Sequence, residues 1–235
     1  MRRRFFVEQF GQNSAAMTGE AAHHLGRVLR AEPGQLYELS DGKVAWLARI
    51  ELVQKERVEF ALVEPIASRE SPLVTTLLLS LVKFDSFEWA LEKATELGVR
   101  TIVPLAAARS EKALLHAAEK RSARWKKILL EASQQSRRVR IPELVAAEKP
   151  VKAFAQQGDC KVIFSEKAEA QPLRAVLPFK AESAILAIGP EGGWTDEELS
   201  AAEAAGFCQA SLGGLILRTE TAVISALANL NYALG

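Results

Sequence analysis

The chain has 235 residues, of which 49% are apolar and 25% charged, and its formal net charge is +1. This is an ordinary globular composition with room for one large domain or two small ones. It excludes a membrane span, which needs roughly 18 consecutive apolar residues, and a disulfide scaffold, since there are only two cysteines, Cys160 and Cys208. Polar Glu8 and Gln9 follow the apolar start Phe5-Phe6-Val7 at once, which argues against a signal peptide. His23, His24 and His116 share no metal-ligand spacing with the cysteines. The expectation is a cytoplasmic protein with buried thiols, no metal and no membrane partner.

The near-zero charge hides an uneven distribution. Residues 1–70 carry ten basic and ten acidic side chains, residues 71–150 fourteen and nine, and residues 151–235 six and ten. Positive charge therefore concentrates in the middle, above all in "EKRSARWKKILLEASQQSRRVR" (119–140), with three arginines added at the start.

Taken in chain order, residues 1–70 read as a small β-barrel domain with one short helix. Thr18 and Glu20 precede the helix candidate "AAHHLGRVLR". Asp41-Gly42 sits between two alternating runs, a strong hairpin signal. "RVEFALVEP" is a further strand, stopped by Pro65, and "SRESP" (68–72) marks a boundary. From 71 to 235 the pattern changes to strand–helix alternation. "LVTTLLLSLV" is a fully buried strand. "DSFEWALEKATELG" is an amphipathic helix ending at Gly98, with Trp89 assigned to the core, as is Trp125 further on. "VRTIVPL" is a strand, and a basic helix follows at about 112–136. Then come "CKVIF" (strand), a short helix near 172–177, "AILAI" (strand), a helix at 196–205, "FCQASL" (strand) and a last helix from about 220 to 234. Apolar strands alternating with helices imply a parallel α/β sheet covered on both faces.

Two loops stand out. "AILAI" breaks into Gly189-Pro190-Glu191-Gly192-Gly193, and a helix restarts at once with the capping-box pair Thr195 and Glu198. This loop sits at the C-terminal end of a strand, the edge at which open α/β sheets bind ligands. The next strand in sequence runs into Leu212-Gly213-Gly214, then an apolar Leu215-Ile216-Leu217, then Arg218 and Thr219, a good N-cap for the last helix. Three glycines in the first loop suggest a close approach to the backbone. An apolar, glycine-flanked second loop suits a flat heterocycle. Neither is a P-loop or a dinucleotide fingerprint.

"IGPEGGWTDEEL" followed by "LGGLILRTETA" resembles the paired C-terminal signature of bacterial 16S rRNA (uracil-N3)-methyltransferases, members of the SPOUT superfamily. "RRRFFV", "HHLGRVLR", "LVKFDSFEWALEKATELGV", "AARSEK" and "RWKKILLEASQQSRR" match the family pattern in order over essentially the whole chain. In this sequence Gly214 and Leu215 stand where the family more often has a proline and a polar residue.

The resemblance implies a PUA-like β-barrel (1–70), RNA-binding, followed by a SPOUT domain (71–235) with a C-terminal trefoil knot. It implies S-adenosyl-L-methionine bound by three loops. Ser165 and Glu166 come from the first of these. Ile188, Gly189, Pro190, Glu191, Gly192 and Gly193 come from the second, and Leu212, Gly213, Leu215, Ile216 and Leu217 from the third. The glycines would admit the cofactor to the backbone. A homodimer acting on 16S rRNA in the small ribosomal subunit is also implied, with the target uridine in the decoding region near the 3′ end. The last helix reads equally as an interface element or as internal core. For catalysis, Arg218 would stabilise the anion on the uracil, and Glu191 or Glu220 would take the N3 proton. Glu220 also reads as plain favourable charge in a first helical turn. RNA contact would come from Arg2, Arg3, Arg4, Arg30, Arg109, Arg137 and Arg138 with the basic helix. Two alternatives remain open at this point: a SPOUT methyltransferase with another target nucleotide, and a non-catalytic ribosome-assembly factor.

Overall fold

The computed structural model describes residues 4–68 and 70–235. The chain forms two compact units. One runs to Glu70 and also takes in Ser133–Ile141; the other comprises Ser71–Ala132 and Pro142–Gly235.

The first unit is built on a five-stranded sheet. Its elements are β1 (Arg4–Phe6), β2 (Ser14–Thr18), α1 (Gly19–His23) running into a π-helical turn at His24–Val28, β3 (Leu36–Ser40), β4 (Ala45–Val53) and β5 (Arg57–Ile66). The strand order is β1-β3-β4-β5-β2. The Asp-Gly turn joins β3 to β4 as its chemistry requires: Asp41 Oδ1 accepts the amides of Lys43 and Val44 at 2.9 and 3.0 Å. Gly42 has a φ of +84°, open to glycine at no steric cost. Pro65 does not stop β5, contrary to the expectation. The strand continues to Ile66, and Pro65 pairs with Trp46. Its neighbour on the other side, β2, reaches only Arg57–Ala61, so the missing N–H deprives no partner. Phe5, Met17, Leu25, Leu39, Ile50 and Phe60 fill the core.

Residues 133–141 complete this unit through backbone groups. Arg4 Nη1 donates to the Arg137 carbonyl at 2.6 Å, Ser40 Oγ donates to the Val139 carbonyl, and the Val139 amide donates to Glu70 Oε1 at 2.6 Å. Nothing in the local composition of 133–141 announces this membership.

The second unit contains β6 (Val74–Ser80), α2 (Phe84–Glu96), β7 (Thr101–Leu105), α3 (Lys112–Gln135), β8 (Glu143–Leu144), α4 (Pro150–Phe154), β9 (Cys160–Phe164), β10 (Gln171–Pro172), α5 (Leu173–Val176), β11 (Ser183–Ile188), α6 (Asp196–Ala204), β12 (Cys208–Ser211) and α7 (Thr219–Leu234). Its seven strands are all parallel, in the order β10-β12-β9-β11-β6-β7-β8. Successive side chains of a strand face opposite ways, and both faces are covered here. Leu77, Leu79, Leu186 and Ile188 pack toward Phe87, Leu91, Trp125, Val223 and Leu227. Leu78, Ile185 and Ala187 pack toward Phe154, Trp194, Leu199 and Phe207. This is why Leu77–Leu79 of β6 and Ala184–Ile188 of β11 are continuous apolar runs rather than alternating ones. The last helix is accordingly a core element on its Val223, Ala226, Leu227 and Leu230 face.

Two expectations change. Trp89 is exposed on α2, unlike Trp125. Cys208 is exposed as well. Cys160 is buried, and that burial pushes its thiol up to about 11. Glu88 is the buried acid of α2, held by Arg121 and Arg124 at 3.0 and 2.7 Å.

Candidate active site

The sheet order brings the conspicuous loops together. The two glycine loops follow β11 and β12, which are consecutive in sequence but not adjacent in space, because β9 lies between them. Its own C-terminal loop, 165–170, therefore closes the gap. The three loops surround a cleft of about 530 Å³ at the C-terminal edge of the sheet, within the roughly 300–1,000 Å³ of small-molecule sites.

Of the residues the sequence nominates for a cofactor, Ser165, Glu166, Ile188, Gly189, Pro190, Glu191, Gly193, Leu212, Gly213, Leu215, Ile216 and Leu217 all line this cleft. Gly192 does not. Its carbonyl is turned to Arg109, whose Nη1 donates to it at 2.7 Å. Arg218 lines the cleft, as does Glu191. Glu220 lies outside the lining, buried in the first turn of α7.

Each glycine of the 189–193 loop answers to a contact inside the protein. A Cβ on Gly189 would lie 3.0 Å from the Trp194 indole nitrogen. On Gly192 it would rest against the Arg109 stem at 3.4 Å. Gly193 has a φ of +69°, and a Cβ there would come within 2.7 Å of Glu166 Oε1. Trp194, whose importance the sequence reading missed, is fully buried. It donates its indole N–H to the Phe164 carbonyl at 3.0 Å and thereby joins the β11 loop to the end of β9. The capping box is present: Glu198 Oε2 accepts the Thr195 amide at 2.9 Å, and the Thr195 hydroxyl accepts the Glu198 amide. Lys167 pairs with Asp196, whose carboxyl this ion pair holds below its usual 3.8.

The 212–218 loop is different. Nothing lies within 4 Å of a Cβ built on Gly213 or Gly214. Leu215 and Ile216 are 84% and 86% exposed. Thr219 does not cap α7. Arg218 holds the N-cap position with no side-chain bond, and the Thr219 hydroxyl reaches only to 3.5 Å from the Gly189 carbonyl.

The arginines nominated for RNA divide sharply. Arg2 and Arg3 lie outside the described residues. Arg4 is a correction: it is 5% exposed, ion-paired with Glu38 at 3.0 Å and bonded to the Arg137 carbonyl. Arg138 is another: it is equally buried, 3.7 Å from Glu70. Both belong to the packing of the first unit, where a buried guanidinium needs a carboxylate. Arg30 and Arg137 are exposed, the latter 3.5 Å from Glu38. Among the described residues no cluster of metal-ligating side chains occurs, and no helix is long and apolar enough to cross a membrane.

Residues 69–231 match the family profile of an RNA methyltransferase domain, and residues 17–63 that of an RNA methyltransferase PUA domain. This chain belongs to that RNA methyltransferase family. Its relatives include ribosomal RNA small subunit methyltransferase E of Bacillus subtilis, 31% identical with 97% of this chain and 96% of the relative covered. The enzyme of that name from Synechocystis is 34% identical over 97% of this chain and 76% of its own length. Among solved structures, ribosomal RNA small subunit methyltransferase E from Neisseria gonorrhoeae bound to S-adenosyl methionine superposes with a TM-score of 0.89 at 31% identity, covering 100% and 99% of the two chains. A Legionella pneumophila protein in complex with the same cofactor superposes at 0.90 and 33%, again with 100% and 99% covered. The family membership thus carries methyltransferase chemistry on RNA and the PUA-type first unit.

Proposed function

We propose that this chain transfers a methyl group from S-adenosylmethionine to N3 of a uridine in 16S rRNA of the small ribosomal subunit, acting in the cytoplasm as a homodimer. The observation that carries the reading is the three-loop cleft. Its volume, its backbone-rich wall and its apolar side at Ile188, Leu212 and Leu215–Leu217 fit a cofactor with a flat heterocycle at one end and charge at the other. When bound there, the cofactor supplies a methyl group already activated by a positive sulfur.

The chain's own residues have two tasks. The loops must hold the methyl group in line with the acceptor at about 3–3.5 Å. The N3 proton must also be removed from a weakly acidic ring. Arg218, on the cleft wall, offers a guanidinium to the negative charge that grows on the uracil. Glu191, exposed in the same cleft, is the carboxylate that takes the proton, directly or through water. Glu220, buried in the first turn of α7, acts through its charge on the helix terminus. Arg30 and the exposed cations Lys112, Lys120, Lys126 and Lys127 supply phosphate contacts, joined by Arg2 and Arg3.

Two further parts of the reading have their own support. β12 lies between β9 and β10, which are consecutive along the chain. That arrangement suits a C-terminal segment threaded past the 165–170 loop into a trefoil knot. The exposed Leu215-Ile216 tip beside the cleft suits completion of each site by a second copy across a two-fold axis.

The test is methyl transfer from labelled S-adenosylmethionine to small subunits lacking the modification, with the product nucleoside identified. Labelled 3-methyluridine, abolished by Arg218→Ala, is expected. Another methylated nucleoside would overturn the target, and an absence of label with cofactor bound would overturn the activity on this substrate.

A further inference from the structure

Arg109, exposed and one of the arginines the family resemblance implies for RNA, also has an engagement inside the protein. It lies in the turn after β7, a strand that shares its neighbour β6 with β11. Nη1 donates to the Gly192 carbonyl at 2.7 Å. Its stem lies along the same residue, where any side chain on Gly192 would touch it. The turn that carries Arg109 is itself fixed. The Ala108 amide donates to Glu198 Oε1 at 2.8 Å, and the Ser110 hydroxyl donates to the Leu81 carbonyl at 2.8 Å. Glu198 is buried, and its second oxygen holds the Thr195 amide. One carboxylate therefore spans two loops, and Arg109, which like Gly192 is not among the residues lining the cleft, closes the ring between them.

We infer that Arg109 is a positioning residue for the cofactor loop. It holds the Gly192 carbonyl outward, so that Pro190, Glu191 and Gly193 on either side keep the orientation in which they line the cleft. Glu198 anchors Arg109 in turn. The inference rests on the reading of that cleft as the S-adenosylmethionine site. The physical basis is preorganisation: a loop that is not held must be ordered when the ligand binds, and affinity falls by that cost. An exposed hydrogen bond of this kind adds little to global stability, so the two effects separate.

The experiment measures S-adenosylmethionine affinity by calorimetry, thermal unfolding, and affinity for a 16S rRNA fragment, on the full chain and on Arg109→Ala and Arg109→Lys. Cofactor binding weakened about tenfold in Arg109→Ala is expected, a change of about 1.4 kcal/mol. The unfolding midpoint and RNA affinity should stay close to wild type. Arg109→Lys, which keeps a donor at the end of a similar stem, should recover part of the loss. Unchanged cofactor affinity in Arg109→Ala would overturn the inference, as would RNA affinity lost while cofactor affinity is kept. A parent chain that does not bind the cofactor at all would instead overturn the reading of the cleft. If Arg109→Ala lowers the unfolding midpoint sharply, Glu198→Gln decides. It keeps one acceptor oxygen and offers an amide N–H where an acceptor is needed. Weakened cofactor binding in that folded variant supports the coupling, and wild-type binding refutes it.

Discussion

The loops after β11 and β12 face each other across one cleft, and they are built on opposite principles. In the 189–195 loop every glycine is set against a side chain of the same unit. The indole of Trp194 and the carboxylate of Glu166 crowd the space a Cβ would need on Gly189 and Gly193, and the stem of Arg109 lies in van der Waals reach of one on Gly192. In the 212–218 loop, Gly213 and Gly214 open onto empty space, and two large apolar side chains stand in solvent. One wall is finished by the chain itself. The other is left open by the chain. A site with one rigid wall and one adaptable wall can fix where the ligand's reactive end sits while still closing over its apolar end.

The sharpest way to break this contrast is Trp194→Ala. It removes a fully buried aromatic, its edge contact with Phe154 at 6.0 Å and its bond to the Phe164 carbonyl. A loss of about 3–5 kcal/mol is expected in urea denaturation. A value under about 1 kcal/mol would mean that the wall is not rigid. Glycine replacements come next. Gly193→Ala forces an L-residue into a left-handed φ and should cost roughly 1–2 kcal/mol, whereas Gly214→Ala, with an ordinary φ and open space, should stay within about 0.5 kcal/mol. If the two variants unfold at the same denaturant concentration, the distinction between the loops fails. Replacing Leu215 and Ile216 together by serine should shift stability by no more than about 0.5 kcal/mol. It should nonetheless weaken S-adenosylmethionine binding at least tenfold, or about 1.4 kcal/mol, if these side chains are covered in the complex. Calorimetry that finds full affinity would sink the adaptable wall.

The smallest effect concerns pH. Asp196 is held below 3.8 by its bond and ion pair with Lys167. A depressed carboxyl contributes stability that is present above its ordinary value and is lost as pH falls through the lowered one. The tether between the 165–170 loop and α6 should therefore hold at neutral pH and release only below about pH 3.8. Asp196→Asn should show that release already at pH 7, as faster amide exchange in 165–170.

Much of this was legible in the sequence, because the informative signals are local. Alternating apolar runs gave the strands, Asp41-Gly42 the hairpin, Thr195 and Glu198 the capping box, and the glycine loops the edge that forms the cleft. What could not be read is long-range. Arg4 and Arg138 look like any arginines in a basic segment. Only the fold places Glu38 and Glu70 beside them, which turns expected RNA contacts into buried ion pairs. Gly192 reads the same as Gly193 in a motif, but its carbonyl faces Arg109, which is 83 residues away in sequence. Thr219 has the right chemistry for a cap, yet Arg218 takes that position because the helix begins at Thr219 itself, one residue earlier than a cap at Thr219 would need.

The first unit draws residues 133–141 from far down the chain, and this has a consequence for synthesis. Arg4 finds its acceptor at the Arg137 carbonyl and Ser40 at the Val139 carbonyl, while Glu70 accepts the Val139 amide. A polypeptide emerging from the ribosome at about 5–20 residues per second cannot make these bonds when residue 70 appears. It must first deliver α2, β7 and the whole of α3. The N-terminal unit is thus begun first and completed late, and a fragment cut at residue 70 would carry a guanidinium and a hydroxyl with no backbone to receive them.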